Sequence, residues 1–256
     1  MDFAHSGIDF SLVSIYAFWA LFVILILYLR REDRREGYPL EEDGSGRLVP
    51  AGGVLFTALP KTFRLPLGAG TVTVPNDRRD RRPVAARRTA AAPGSPLEPT
   101  GNPMVDGVGP ASYADRAKVP DLTHDGAVKI VPMRVATDFH ITDGDPDPRG
   151  MAVLGADGRK AGTVTEIWVD RAESVIRYLE LALPDSTDTV LLPMPFALVD
   201  RRRGRIQVDA ITAAQFADVP KTAVPDQITF YEEDRIAGYF GGGYLYATPD
   251  RTEPLL

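Results

Sequence analysis

Leu12–Leu29 reads LVSIYAFWALFVILILYL, and this stretch decides the architecture. It holds no charge, proline or glycine, and Ser14, Tyr16 and Tyr28 supply its few polar side-chain groups. About 18 residues at 1.5 Å each span roughly 27 Å, close to the hydrocarbon thickness of a bilayer. With no water to satisfy the backbone there, the segment has to be a helix. A core helix of a soluble domain would keep a polar face, and this run is apolar all round. A cleaved signal peptide would carry its charge before the apolar run and small residues after it. Here acidic Asp2 and Asp9 precede the run, and Arg30, Arg31, Arg34 and Arg35 follow it. The arginine asymmetry predicts an N-terminus outside, in the periplasm, with all that follows in the cytoplasm. The arginines of this collar are expected at anionic headgroups, with Arg30, Arg31, Arg34 and Tyr38 as the membrane-surface set. Trp19 lies too deep for an interface anchor.

The chain has 256 residues, so about 220 remain for structure outside the membrane, enough for one domain with a core plus a long accessory segment. It has no cysteine, which excludes disulfides, thiolate metal sites and a cysteine nucleophile. A formal net charge of −6 argues against a nucleic-acid partner. The 22 prolines and 23 glycines keep helix from dominating beyond the span.

Four regions follow from patterning: an outer tail over 1–11, the span over 12–31, an extended proline-rich surface segment over 32–132, and a β domain with a closing helix over 133–256. Gly37 and Pro39 are expected to end the first helix. His5, in the tail, reads as a solvated terminal histidine. Between Leu48 and Asp121 recurrent proline lets no helix run beyond a turn. Short pieces such as Thr71–Val74 suit strands, while Leu55, Phe56, Leu59, Phe63, Leu65 and Leu67 need cover. The segment therefore reads as a strap ordered on another protein's surface. Within it, Arg78–Arg88 (RRDRRPVAARR) is a basic run, either a solvated loop or a membrane or partner contact.

Further on, Thr163–Val169 and Val175–Leu183 alternate near period two, with DRAES (Asp170–Ser174) as their turn. Val190–Leu192, Phe196–Val199 and Arg205–Val208 read as further short strands, with Gly204 in a hairpin turn. Strands at this spacing favour a small barrel or sandwich. Ile211–Asp218 reads as a short helix capped by Thr212, and Ile228–Ala247 as a closing helix. Gly241–Gly243 in that helix imply close approach to something bulky.

No hydrolase, zinc-protease, P-loop or dinucleotide signature is present. His5, His124 and His140 are widely spaced, and none lies in the span, so no intramembrane imidazole is available to a chlorophyll or haem. Acids cluster at Glu41–Asp43, Asp121–Asp125 with His124, Asp143–Asp147, Asp170 with Glu173, and Glu232–Asp234. Each is a solvated face by default. Asp170 and Glu173 differ because two strands fix their turn, which could project them toward the membrane or a partner. A carboxylate desolvated at an interface becomes a proton carrier at neutral pH.

The motifs that carry a resemblance are REGYPLE (35–41), PKTF (60–63), GAGTVTVP (68–75), PTGNPMVDGVGPASY (99–113), KIVPM (129–133), IWVD (167–170), RYLELAL (177–183), LLPM (191–194), EEDRIAGY (232–239) and GG-x-x-YA (242–247). In this order they resemble the H subunits of the photosynthetic reaction centres of purple bacteria. The resemblance implies a PRC-barrel in the C-terminal part and a non-enzymatic subunit that binds no pigment or other cofactor itself. It implies two pigment-binding partner subunits that hold bacteriochlorophyll, bacteriopheophytin, quinones and a non-haem iron. A light-harvesting ring, membrane lipids and an intracytoplasmic inner-membrane location are implied as well.

In that family the subunit caps its partners, shields the quinone region and lines a proton route to the secondary quinone. By resemblance, Glu173 is the proton-transfer residue nearest that quinone, Asp170 belongs to its cluster, and Arg177 tunes the cluster by charge. The family's paired entry histidines are not matched. The loop reads THDGAVKI (123–130), leaving His124 beside Asp125. The competing reading is a free membrane-anchored PRC-barrel adaptor, which would have no use for so long an apolar strap.

Overall fold

The computed structural model describes residues 9–49, 58–76, 78–184 and 186–252; Asp2, His5, Leu55 and Phe56, singled out above, lie outside them. The described residues form two compact units, one of residues up to 79 together with 90–95, the other of 80–89 together with 96 onward.

The first unit begins with helix α1, Phe10–Glu32. Asp9 caps it, its carboxylate accepting from the N–H groups of Ser11 (2.9 Å) and Leu12 (3.2 Å). Arg30 and Arg31 in the last turn complement the helix dipole. No residue of α1 is buried, so its apolar surface finds no cover among the described residues, and it is long and apolar enough to cross a membrane. The helix stops before Gly37 and Pro39, at Glu32. Beyond it, the N–H groups of Arg34 and Arg35 bond three residues back instead of four, and Arg35 folds over Glu32. Two antiparallel ribbons follow, β1 (Leu40–Glu41) with β2 (Leu48–Val49), and β3 (Lys61–Arg64) with β4 (Thr71–Val74). The expected extended piece Thr71–Val74 is thus a strand.

The second unit opens with the ribbon β5 (Ala86–Arg88) and β6 (Leu97–Pro99), then a one-turn helix α2 (Pro103–Asp106). Its main sheet has seven strands: β7 (Ile130–Pro132), β8 (Ala152–Leu154), β9 (Lys160–Asp170), β10 (Val175–Ala182), β11 (Thr189–Pro193), β12 (Leu198–Asp200) and β13 (Arg205–Gln207). The order is β11-β10-β9-β8-β13-β12, with β7 also on β9. All pairs are antiparallel except β13 with β8. The piece expected as strand Phe196–Val199 instead begins as a 3-10 turn, Met194–Phe196, because Pro193 and Pro195 deny the ladder its N–H groups. Gly204 adopts φ +60° in the tight β12–β13 turn.

The core comprises Ile167, Trp168, Leu179, Leu181, Leu192 and Ile206 from the sheet, closed by helix α3 (Phe230–Tyr246). Thr229 and Glu232 form a capping box at its start. Phe240 stacks on Phe196 at 5.4 Å and meets Phe216 edge-on at 5.8 Å.

The strap corrects one expectation. Its later part is covered by this chain itself, because Met104, Val108 and Ala111 are buried where residues 103–111 pack on α3. Gly242 of α3 makes this possible by admitting Ala111, while Gly243 admits the Ala210 backbone and the branched Ile211. A Cβ on Gly242 would fall 2.5 Å from that of Ala111, and one on Gly243 2.5 Å from Cγ2 of Ile211.

Candidate functional site

The β9–β10 turn is built by Asp170. Its Oδ1 accepts from the N–H groups of Ala172 (2.9 Å) and Glu173 (3.0 Å), an Asx turn that reverses the chain. Ser174 completes it at φ +55°, donating its N–H to the Asp170 carbonyl. Asp170 is fully buried, so it does not project toward a partner as its place in a turn suggests. Its Oδ2 lacks a hydrogen bond and faces the Lys129 ammonium at 3.4 Å.

Lys129 reaches this turn through sheet register. Strand β7 pairs Ile130 with Asp170, and the Arg171 N–H donates to the Lys129 carbonyl at 2.9 Å. The ammonium then stands 3.4 Å from a carboxylate oxygen of each of Asp121, Asp170 and Glu173. Burial pulls the Lys129 pKa down, but the charge of Asp170 and the close approach of all three carboxylates outweigh it, holding it above the ordinary lysine value. Glu173 is the outward member of the trio, its side chain 57 % exposed.

His124 and Asp125 sit exposed at the tip of a tight loop rooted in the same cluster. The Thr123 N–H donates to the Ala127 carbonyl and the Lys129 N–H to that of Asp121, both at 2.8 Å. The loop therefore hangs its histidine above a base formed by Asp121 and Lys129. Sequence reading groups Asp170 with Glu173 but leaves Asp121 in a separate cluster. The fold joins Asp121, Asp170 and Glu173 through a lysine that sequence reading saw only as part of a motif.

Arg177 stands apart from this trio. Its Nη2 lies 4.0 Å from Oε2 of Glu233 on α3, which also accepts from the Tyr178 hydroxyl at 3.0 Å. Burial raises the Glu233 pKa, opposed by that hydrogen bond and by the Arg177 charge. Asp121, Lys129, Arg177, Tyr178 and Glu233 line one cleft of about 700 Å³. Arg177 thus faces the lysine's cleft without touching Glu173. No sequence signal distinguished Glu233 from its neighbours Glu232 and Asp234. Glu232 is engaged in the helix cap, and Asp234 accepts from the Ala114 N–H at 2.6 Å.

In the first unit, Arg30 and Arg31 end α1, and Arg34 lies 5.9 Å over the Tyr38 ring. Tyr38 lines a smaller cleft of about 330 Å³ with Arg78 and Arg79. Arg35 leaves the collar. Only 9 % exposed, it bonds Glu32 twice through Nη2 (2.7 and 2.9 Å) and donates from Nη1 to the carbonyls of Leu59 (2.7 Å) and Val74 (2.9 Å). The basic run is largely matched by acids, with Arg79 on Glu41, Arg82 on Asp80 and Arg87 on Glu98. Among the described residues no group of three or more histidines and acids is placed to hold a metal ion.

Two family models match the chain. The one for the photosynthetic reaction centre H-chain N-terminal region covers residues 3–135, and the one for the PRC-barrel domain covers residues 141–215. The first spans more than half of the 256 residues and includes α1, the strap and the Asp121–Lys129 loop; the second takes in β8 to β13 and the Asp170 turn. An apolar helix without internal cover and a mainly β region closed by a helix are the parts such a membrane-anchored subunit requires. The chain belongs to the photosynthetic reaction centre H-chain family.

Proposed function

We propose that this H subunit caps two pigment-binding subunits on the cytoplasmic side, shields their quinone region and passes protons to the reduced secondary quinone through the cluster around Lys129. The observation that carries the reading is the single ammonium 3.4 Å from Asp121, Asp170 and Glu173. It binds an exposed loop bearing His124 and Asp125 to an outward carboxylate. In this reading His124 and Asp125 collect protons from water and Glu173 delivers them. Asp170 and Lys129 hold Glu173 in place, and Arg177 sets the field across the cleft from Glu233. Bacteriochlorophyll, bacteriopheophytin, quinones and iron belong to the partners, and lipids with a light-harvesting ring surround the assembly. The arginines after α1 put the β unit in the cytoplasm and the N-terminus in the periplasm.

The test uses sealed inside-out membrane vesicles, whose medium then faces the β unit. Glu173→Gln keeps shape and hydrogen bonding but releases no proton between about pH 6 and 9. Flash-induced transfer of the second electron and proton uptake from the medium should both slow, with primary charge separation unchanged. His124→Ala should slow uptake less, since neighbouring acids remain at the entry. Unchanged kinetics in the intact Glu173→Gln complex would leave the subunit a structural cap, and uptake from the vesicle lumen would reverse the orientation.

A further inference from the structure

The β3–β4 ribbon carries an apolar surface that the described residues leave open. Leu59 and Leu67 are 64 % and 53 % exposed, and Phe63, Leu65 and Val72 are exposed beside them. The tip, LPLGAG (65–70), contains no charged or hydrogen-bonding side chain, while Lys61 and Arg64 stand on the strand that leads to it. Leu67 occupies the left-handed region at φ +54°, which disfavours a side chain with a Cβ, and its side chain is exposed there.

The position of the ribbon is fixed by Arg35. Its Nη1 holds the carbonyls of Leu59 and Val74, the two ends of the ribbon, and its other nitrogens hold Glu32, the last residue of α1. The base of the ribbon is therefore pinned to the end of the apolar helix, where a spanning helix leaves the hydrocarbon. Four strand residues reach roughly 13 Å, enough to lay the tip along the headgroup layer. An uncharged apolar tip with cations behind it suits the interface of an anionic bilayer, where the tip meets acyl chains and the cations meet phosphates.

We propose that the tip Leu65–Gly70 inserts into the membrane interface beside α1, with Lys61 and Arg64 on anionic phospholipid headgroups. The proposal rests on α1 spanning the membrane, so the experiment reads the two separately. Because the chain has no cysteine, Leu67→Cys and Leu21→Cys each give one site for a nitroxide label in the full-length chain. The labelled chains are reconstituted into phosphatidylcholine vesicles with and without phosphatidylglycerol. Collisions of each label with oxygen, which favours lipid, are compared with those of a water-soluble nickel chelate. At position 67 oxygen should exceed the chelate severalfold, more so with phosphatidylglycerol. Arg35→Gln should abolish that excess at 67 and leave it at 21. Lys61→Gln with Arg64→Gln should remove the phosphatidylglycerol dependence alone. A label at 67 that meets the chelate more often than oxygen, while 21 remains in hydrocarbon, overturns the proposal. So does shielding at 67 that arises only in the complex with the pigment-binding subunits, which would make a protein the occupant.

Discussion

In strand β10 the run Tyr178–Leu181 is buried residue by residue, whereas in β3 all four residues of Lys61–Arg64 are exposed. Both are antiparallel, but the β10 run carries Tyr178, Leu179 and Leu181 where β3 (KTFR) carries Phe63 alone. They differ as well in what stands beside them. Strand β10 is flanked by β9 and β11 and roofed by α3, so even Glu180 is enclosed, held by the Trp168 indole at 2.8 Å and Arg134 at 3.0 Å. Among the described residues strand β3 has one neighbour and no layer over it, and a lone two-stranded ribbon is marginal in water. The β unit makes its own core, whereas in the unit that begins with α1 the apolar helix and the β3 strand stay exposed among the described residues.

The comparison breaks if truncation costs the same in both regions. In guanidinium unfolding of the detergent-solubilised chain, Leu179→Ala should lower stability by about 2–5 kcal/mol, the range for a large-to-small change in a packed core. Leu59→Ser should stay within about 0.5 kcal/mol, as expected for an exposed site. Comparable losses at both positions would mean that the strap holds a core of its own.

A smaller effect tests the cluster. Lys129→Met leaves the buried Oδ2 of Asp170 without its cation and should cost about 2–3 kcal/mol, below the full price of a buried pair because the lysine is one-fifth exposed. The double variant with Asp170→Asn should recover part of that loss. Since the folded-state pKa of Lys129 is raised, its stabilisation is complete below the unfolded value near 10.5 and fades as pH climbs through the folded value. Wild type should thus lose stability in that alkaline window more steeply than Lys129→Met. Equal slopes would remove the ion pair from the account.

The smallest shift concerns Glu233. Burial raises its pKa above 4.5, so the folded state holds a proton that the unfolded state has released. Stability must then fall as pH rises from about 4.5 through the folded value. Glu233→Gln should flatten this decline and leave the chain more stable at pH 7 by up to about 1 kcal/mol. An unaltered slope would show that the helix start and Arg177 fully compensate the carboxylate.

Local pattern sufficed where structure is local. Composition alone marks α1, alternation marks β9 and β10 with their turn, and Gly204 marks the β12–β13 reversal. What escaped sequence reading depends on partners far along the chain. Strand β8 is three residues long and gains meaning from its parallel pairing with β13, more than fifty positions on. Lys129 becomes central because β7 pairs with β9, a register that no feature of KIVPM announces. The strands that fix the Asp170 turn suggest an outward projection, and its burial depends on β7 and Lys129, some forty positions earlier, packing beside it. Arg35 is indistinguishable by type from Arg34, and its burial follows from carbonyl groups 24 and 39 residues away.

The rooting of the His124 loop bears on how this family can change. The loop is closed at its base by the Leu122–Val128 bridge and by the bond from the Lys129 N–H to the Asp121 carbonyl. Residues 123–127 lie beyond that closure and supply no side chain to the Lys129 trio. Their identity, and even their number, can drift between lineages while Glu173 stays where the lysine holds it. On the proposed proton route, the entry loop could then be altered without rebuilding the carboxylate end that Lys129 holds.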